Sequence, residues 1–136
     1  MVENPVLMVE DNPDDEFLTL RELKKYGIEG VVVVRDGVET VDYLLCTGRY
    51  AGRDRGIVPR LVFLDLKLPR MNGLEVLRAM RDDEKLRDVP VIVTSSSQEP
   101  SDIENCRKLG VKFFLDKPLD GRKIAAIMDE MEGESP

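Results

Sequence analysis

Five short apolar runs, separated by segments of helical pattern, constrain the fold of this 136-residue chain more than any other feature. The runs cover residues 6–9, 31–34, 61–64, 91–94 and 113–116. Strands that alternate with helices are joined by right-handed crossovers, which place the strands in one parallel sheet with helices on both faces. We therefore predict an open, doubly wound α/β fold in one domain, since a chain of this length can bury a full core.

The segments between the apolar runs carry the start and stop signals of helices. In the first segment Asn12 can cap a helix and Gly27 is a natural stop. Phe17, Leu20 and Leu23 form the predicted inward-facing stripe of this helix. Further helices are predicted over about 37–46, over 72–83, up to about 109 and around 124–131.

Polar side chains follow directly on four of the five apolar runs. Glu10 and Asp11 follow the first run, and Asp65, Ser95 and Lys117 follow the third, fourth and fifth. Because the carboxyl ends of parallel strands lie along one edge of a sheet, we expect these side chains to meet in one crevice. Three carboxylates, a hydroxyl and an ammonium would then surround a site that suits a divalent cation and a phosphoryl group.

The charges of this group indicate what it can bind. Acidic residues at a helix start complement the helix dipole, which accounts for Asp14 and Asp15. Glu10 and Asp11 precede the helix cap, however, and carboxylates gathered at one point repel unless a cation neutralises them. Hard oxygen ligands that leave room for water and phosphate oxygens favour Mg²⁺. We therefore predict that Asp11 helps to bind a metal ion.

Asp65 is the candidate nucleophile of the predicted crevice. A carboxylate can accept a phosphoryl group as an acyl phosphate, and such transfer depends on positioning and charge neutralisation. Lys117 would supply a compact positive charge, and Ser95 a hydroxyl donor for a phosphoryl oxygen. Taken singly, the lysine is also typical of a solvated charge, the serine of a turn and the aspartate of a helix cap. Their shared position at strand ends favours the phosphoryl site.

Composition and charge argue against several classes of protein. The formal net charge of −7 argues against non-specific nucleic-acid binding, which needs clustered positive charge. The chain has no histidine and therefore cannot use a histidine base or a Ser/His/Asp triad. Cys46 and Cys106 lack metal-ligand spacing and are typical of reduced thiols in a cytosolic protein. No stretch is long enough to span a membrane, and the N-terminal apolar run is too short for a secretory signal.

These features predict a single cytoplasmic domain over 1–132 and a flexible tail over 133–136, with no direct contact to nucleic acid or to a membrane.

One segment breaks the regular alternation of strands and helices. Residues 47–59 hold three glycines and three arginines between the second helix and the third strand. This insertion fits either a solvated surface loop or a loop that contacts a partner, and the sequence does not choose between them.

Four segments resemble the receiver domain, the phosphoacceptor module of two-component response regulators. They are VEDN at 9–12, FLDLKLPRMNGLEVL at 63–77, PVIVTSSS at 90–97 and FFLDKP at 113–118, and the similarity extends along nearly the whole chain. The resemblance implies a flavodoxin-like (βα)5 sheet with strand order 2-1-3-4-5. It also implies a signalling protein that is not an enzyme and has no cofactor other than Mg²⁺.

The resemblance assigns roles to the residues at the strand ends. Asp65 is the implied phosphorylation site, and Glu10 and Asp11 form the acidic pocket beside it. Mg²⁺ would be bound by Asp11, Asp65 and the backbone carbonyl of Lys67, with Glu10 acting through water. Lys117 matches the lysine of the family.

The switch residues of the family also have counterparts in this chain. Ser95 stands five residues after the proline that opens the fourth strand and 22 before Lys117, so both spacings select it among the neighbouring hydroxyl residues. Thr94 is then a strand residue. Phe114 matches the aromatic switch residue, although ordinary core packing also accounts for it. The resemblance further implies a cis peptide bond between Lys117 and Pro118.

The resemblance also indicates partners and rivals. The start EDNPDD and the arginine-containing insertion are similar to single-domain regulators that partner phytochrome-type histidine kinases. A sensor histidine kinase or phosphotransfer protein is the expected partner, and a homodimer through the apolar stripe of the last helix is a further expectation.

The alternative to a phosphoacceptor is an interaction module that works without phosphorylation. A haloacid-dehalogenase phosphatase is a rival class, but it would need an acid where Lys67 stands. A flavodoxin-like electron carrier is another, but the acidic loop after the first strand would repel the phosphate of its FMN.

Overall fold

The computed structural model describes residues 4–95 and 99–133 and shows a five-stranded, wholly parallel sheet. The strands are β1 (Val6–Val9), β2 (Val31–Val34), β3 (Leu61–Asp65), β4 (Val91–Ser95) and β5 (Phe113–Asp116). Their order in the sheet is β2-β1-β3-β4-β5, which confirms the predicted strand order. β3 and β4 each extend one residue beyond the apolar run, so that Asp65 and Ser95 are the last residues of their strands.

Five α-helices connect and flank the strands. They are α1 (Pro13–Lys25), α2 (Gly37–Leu45), α3 (Gly73–Asp82), α4 (Pro100–Lys108) and α5 (Gly121–Gly133), with a short 3-10 helix at Gly48–Tyr50. The side chains of Asn12, Asp36 and Asn72 accept backbone N–H groups at the starts of α1, α2 and α3, which satisfies donors that have no partner within the helix. Of the predicted tail, Gly133 ends α5, and 134–136 lie outside the described residues.

Two hydrophobic clusters cover the two faces of the sheet. Side chains alternate along each strand, so that Leu7 and Val9 enter one cluster while Val6 and Met8 enter the other. The first cluster packs against α2, α3 and α4, and the second against α1 and α5. Full burial of an aliphatic side chain contributes roughly 1.5–3 kcal/mol. This two-sided burial fixes the sheet and holds its carboxyl edge in place.

The predicted apolar stripe of α1 is wrong at one position. Leu23 is buried and Leu20 packs against the second cluster, but Phe17 is 66% exposed. Residues six apart on a helix lie about 120° apart around its axis, so Phe17 and Leu23 lie at opposite edges of the stripe, and the sheet covers only the edge that holds Leu23. Thr19, which is one turn before Leu23, is buried instead.

The insertion at 47–59 folds back on α2. The Arg53 guanidinium lies 3.7 Å from the centroid of the Tyr43 ring and donates to the Tyr43 carbonyl oxygen. Arg55 donates to the carbonyl oxygen of Leu44 at 3.1 Å and pairs with Asp83 at 2.7 Å. The last carbonyls of a helix lack partners within it, and these two arginines provide them. The insertion therefore stabilises the end of α2 and ties it to the end of α3.

Within the ranges 4–95 and 99–133, no helix is both long and apolar enough to cross a membrane.

Candidate functional site

Three of the predicted site residues meet at the carboxyl edge of the sheet. β3 lies at the centre of the sheet and ends at Asp65, while Glu10 and Lys117 directly follow β1 and β5. The Nζ atom of Lys117 lies 2.7 Å from Oδ2 of Asp65 and 2.6 Å from Oε1 of Glu10. Glu10 and Asp65 are only 4% and 5% exposed. The expected convergence of strand ends is therefore present in the fold.

The Lys117 ammonium is held among carboxylates. In addition to Asp65 and Glu10 it contacts Oδ2 of Asp15 at 3.3 Å. Burial by itself lowers the pKa of Lys117, but the hydrogen bonds and charges of Asp65 and Glu10 outweigh burial and raise that pKa above its ordinary value. The lysine therefore stays charged throughout the physiological pH range. The peptide bond between Lys117 and Pro118 is cis, as the resemblance implies.

The charge of the pocket is unbalanced in favour of acid. Burial raises the pKa of Glu10, and the nearby negative charge of Asp65 raises it further, against the opposing effect of Lys117. The backbone N–H of Asn12 donates to Oε2 of Glu10 at 3.3 Å, which compensates part of the burial. One ammonium therefore does not fully offset the carboxylates that surround it.

The carboxylates are close enough together to share a metal ion. Carboxylate oxygens of Glu10, Asp11 and Asp65 all lie within 4.8 Å of one another, and Asp11 is exposed to solvent. A small set of hard oxygen donors with one open side fits Mg²⁺, which keeps several of its waters when it binds. The backbone N–H of Lys67 donates to Oδ1 of Asp65 at 2.9 Å and so fixes the orientation of that carboxylate.

The two predicted switch residues are described to different extents. The backbone of Ser95 pairs with Asp116 in the sheet, whereas its side chain and residues 96–98 lie outside the described part of the structure. Thr94 is buried within β4, as expected of a strand residue. Phe114 is half-buried, packs against the first cluster and lies 5.5 Å from the Arg107 guanidinium, measured from its ring centroid. Core packing of Phe114 is thus present, and its switching role stays a prediction.

Two features of the site were missed from the sequence. Asp15, for which the sequence indicates only an interaction with the helix dipole, also contacts Lys117. Asp36 follows β2 at the same sheet edge and pairs with Arg70, which lies in the loop after Asp65. The strand-end argument applied to β2 could have drawn attention to Asp36. Nothing in the pattern indicated Arg70 as its partner.

Comparison with known proteins identifies the family. The family model of the response regulator receiver domain matches residues 6–129. The chain belongs to this family. Receiver domains are modules of two-component signalling, and the sheet order and helix arrangement described above are those of the receiver fold.

The chain is similar along most of its length to several named regulators. The probable methanogenesis regulatory protein FilR2 of Methanothrix harundinacea is 34% identical over 93% of this chain and 80% of its own length. Response regulator Rcp1 of Synechocystis is 33% identical over 93% of this chain and 85% of its own. The solved bacteriophytochrome response regulator AtBRR is 41% identical, with a TM-score of 0.85, over 97% of this chain and 94% of its own. Rcp1 has also been solved in a Mn²⁺-bound form, and the TM-score between that structure and this chain is 0.77.

Proposed function

We propose that Asp65 accepts a phosphoryl group from a sensor histidine kinase or a phosphotransfer protein, in a Mg²⁺-dependent reaction that switches partner binding. The observation that carries this proposal is the contact of 2.7 Å between the Lys117 ammonium and Oδ2 of Asp65, inside a cluster of three carboxylates. A buried aspartate beside a fixed positive charge and a site for a divalent cation is what acyl phosphate formation requires.

In the proposed reaction a carboxylate oxygen of Asp65 attacks the phosphorus atom of the phosphodonor. A new O–P bond forms on Asp65 while the bond from phosphorus to the donor nitrogen or oxygen breaks, and the electron pair leaves with the donor. Lys117, which stays protonated, offsets the charge that the phosphoryl oxygens bring into the pocket. Asp11, Asp65 and the backbone carbonyl of Lys67 would hold Mg²⁺, with Glu10 acting through water. When bound, the ion would supply the further positive charge that this acidic pocket needs.

The switch is proposed to act through Ser95 and Phe114. Ser95 ends β4, which lies beside β3, so its position along the chain suits a hydroxyl that approaches a phosphoryl group on Asp65. Phe114 lies on the adjacent strand, β5, and is only half-buried. Movement of its ring would change the face formed by α4, β5 and α5, and with it the choice of partner.

The first experiment is intact-protein mass spectrometry after incubation with acetyl phosphate, with and without Mg²⁺. We expect a gain of one phosphoryl group that requires Mg²⁺ and is absent from Asp65→Asn. Asp14→Asn is the matched control, because Asp14 is an exposed acid at the start of α1 that lies outside the carboxylate cluster. Persistent labelling of Asp65→Asn would contradict the assignment of the phosphoacceptor.

A second part of the proposal concerns the partner. The similarity to AtBRR, a bacteriophytochrome response regulator, supports a phytochrome-type histidine kinase as the phosphodonor and, with it, a cytoplasmic location. The test is transfer from a purified, autophosphorylated phytochrome kinase compared with kinases that sense other signals. Faster transfer from a kinase that senses another signal would overturn the phytochrome assignment and leave the phosphoacceptor role intact.

A homodimer is also proposed, although the apolar stripe of α5 expected to form it packs against the core of its own chain. Ile124 is fully buried, and Ile127, Met128 and Met131 pack against the second cluster of the same chain. A dimer would therefore use other parts of α5 or the neighbouring β5 and α4. Sedimentation velocity before and after phosphorylation tests this, and a monomer in both states would contradict it.

The alternative is a receiver used as an interaction module that needs no phosphorylation. It predicts no mass gain with acetyl phosphate or with any kinase, together with partner binding that Asp65→Asn leaves unchanged. The contact between Lys117 and Asp65 favours the phosphoacceptor over this alternative, because a pure interaction module has no use for a buried, unbalanced charge cluster.

A further inference from the structure

The loop at 66–72, which joins Asp65 to α3, is tied to the start of α2. Nη2 of Arg70 lies 3.0 Å from Oδ1 and 2.9 Å from Oδ2 of Asp36. The backbone N–H of Gly37 donates to the carbonyl oxygen of Pro69 at 3.3 Å. These contacts join two loops that lie far apart in the sequence, at the edge of the sheet where the phosphoacceptor stands.

The approach of the two loops is too close for an ordinary side chain. A Cβ atom on Gly37 would lie 1.9 Å from the carbonyl oxygen of Met71, so only glycine fits at this position. Asp36 has a second task, because its Oδ1 also accepts the backbone N–H of Glu39 at 2.8 Å and so caps α2. The loop after the phosphoacceptor is therefore seated directly on the capped start of a helix.

Arg70 adopts a backbone conformation that residues with a side chain rarely adopt. Its φ angle is 66°, in the left-handed region, where a non-glycine residue costs free energy. Such a conformation persists only when surrounding contacts hold it. The ion pair to Asp36 is the side-chain contact of Arg70 that does so among the described residues.

The same loop is fixed to the phosphoacceptor at its other side. The backbone N–H of Lys67 donates to Oδ1 of Asp65 at 2.9 Å, and that of Gly73 donates to the carbonyl oxygen of Leu66 at 2.9 Å. The path of the chain from Asp65 to α3 is thus held at Asp65, at Arg70 and at Gly73. Loss of one of these contacts would let Lys67 and its carbonyl move relative to the carboxylates.

We propose that the ion pair between Asp36 and Arg70 positions the loop at 66–72 and thereby raises the affinity of the carboxylate cluster for a divalent cation. This inference rests on the proposed function, because the proposed function places the backbone carbonyl of Lys67 in the metal site. Asp36 and Arg70 are positioning residues that act through the loop. The β2–α2 connection thus becomes part of the phosphoacceptor site.

The test measures Mg²⁺ affinity by titration calorimetry in four single variants and one double variant of the full chain. Asp36→Asn keeps a capping oxygen for α2 but removes the charge, and Arg70→Ala removes the guanidinium while keeping the backbone strain. Arg70→Gly removes both. Arg55→Ala is the matched control, because it breaks an arginine–aspartate pair of 2.7 Å at the far ends of α2 and α3.

We expect Asp36→Asn, Arg70→Ala and Arg70→Gly each to raise the Kd for Mg²⁺ roughly two- to fivefold, the size of one partly exposed ion pair. The double variant Asp36→Asn/Arg70→Ala should show no more than the larger single effect, and Arg55→Ala should match wild type. The effect should shrink at high salt, which screens exposed charges. An unchanged Kd in Asp36→Asn and Arg70→Ala, or an equal change in Arg55→Ala, would overturn the proposal. Wild-type affinity in Arg70→Gly would do so as well, since it would assign the effect to backbone strain alone.

A second measurement separates this inference from the proposed function. Amide hydrogen exchange followed by NMR in Mg²⁺-free buffer should show faster exchange of the Lys67 and Gly73 amides in Arg70→Ala and Asp36→Asn than in wild type. Unchanged exchange would refute the positioning role whether or not the protein is phosphorylated. Faster exchange in a chain that binds Mg²⁺ but takes no phosphoryl group would refute only the proposed function. A wild-type chain that binds no Mg²⁺ would refute both the proposed function and the effect on metal affinity.

Discussion

The carboxyl edge of the sheet and the insertion at 47–59 both concentrate charge, and they use it in opposite ways. In the insertion the described arginines have local partners: Arg53 and Arg55 donate to carbonyl oxygens at the end of α2, and Arg49 pairs with Glu39 at 3.3 Å. At the sheet edge one ammonium, on Lys117, faces the carboxylates of Glu10, Asp15 and Asp65. Matched charge stabilises the fold, whereas unmatched buried charge is costly and indicates a ligand.

Removal of Lys117 should have the largest effect, because it leaves two buried carboxylates without their cation. We expect Lys117→Met to lower the free energy of unfolding by about 3–5 kcal/mol in Mg²⁺-free buffer, the usual cost of breaking a buried pair from one side. Mg²⁺ should restore more stability to this variant than to wild type, while phosphorylation by acetyl phosphate is lost. Urea denaturation with and without Mg²⁺ measures both. A loss below ~1 kcal/mol would mean that the edge is better solvated than its burial indicates.

Removal of Arg53 tests the other side of the comparison. Arg53→Ala removes the guanidinium donor from the carbonyl oxygen of Tyr43, at the end of α2, and from that of Ile57, within the insertion, which should cost about 1–3 kcal/mol of unfolding free energy. Because the insertion lies away from the carboxylates, the rate of phosphorylation and the Kd for Mg²⁺ should match wild type. Urea denaturation and acetyl phosphate labelling measure the two quantities. A normal stability combined with a changed labelling rate would reverse the roles that we assign to the two regions.

The pH dependence of stability should reveal the unbalanced charge at Glu10. Its pKa is raised in the folded state, chiefly by burial, so its contribution to stability is fully present below its unfolded pKa and is lost as pH rises through its folded pKa. In Mg²⁺-free buffer, the stability of Glu10→Gln relative to wild type should therefore increase from pH 4 to pH 7. Urea denaturation at several pH values gives the comparison. A relative stability that decreases with pH would show that Lys117 outweighs burial at this carboxyl group.

The two thiols provide the smallest and simplest test. Burial raises the pKa of Cys106 to about 11, and its side chain is inaccessible in the first cluster. Cys46 is the C-terminal cap of α2, beside the insertion, and is only half-buried. In native protein at pH 8 a thiol reagent should modify Cys46 first and Cys106 only at the rate of unfolding. Equal rates for the two thiols would show that the first cluster opens far more readily than its packing indicates.

Much of the site was predictable because strand ends obey a simple rule. Once five apolar runs define parallel strands, the residues after them must lie along one edge, which brought Glu10, Asp65 and Lys117 together. The rule fails where loops contact one another, because loop contacts depend on turns that no periodic pattern describes. Asp36 and Arg70 are 34 residues apart in the sequence. The positive φ of Arg70 could not be predicted either, because arginine is not a residue type that favours the left-handed region. The pairing of these loops therefore had to come from the structure.

Side-chain burial on helices shows the same division. The sequence indicated that α1 is a helix with an apolar face, but not which part of that face the sheet would cover. Leu23 is buried and Phe17 is exposed, although both are large and apolar. The difference follows from where α1 crosses the sheet, which depends on packing across the whole second cluster.

The sequence by itself determined the receiver family, the parallel sheet and the identity of the residues at its carboxyl edge. These follow from local periodicity, from the chirality of strand crossovers and from short motifs, all of which are encoded in neighbouring residues. The tertiary structure alone decided the partners of the charged groups: the three acids around Lys117, the helix carbonyls bound by Arg53 and Arg55, and the pairing of Asp36 with Arg70. Electrostatic and hydrogen-bonding partners are set by distances of a few ångströms between segments far apart in the chain, and only the packed fold fixes those distances.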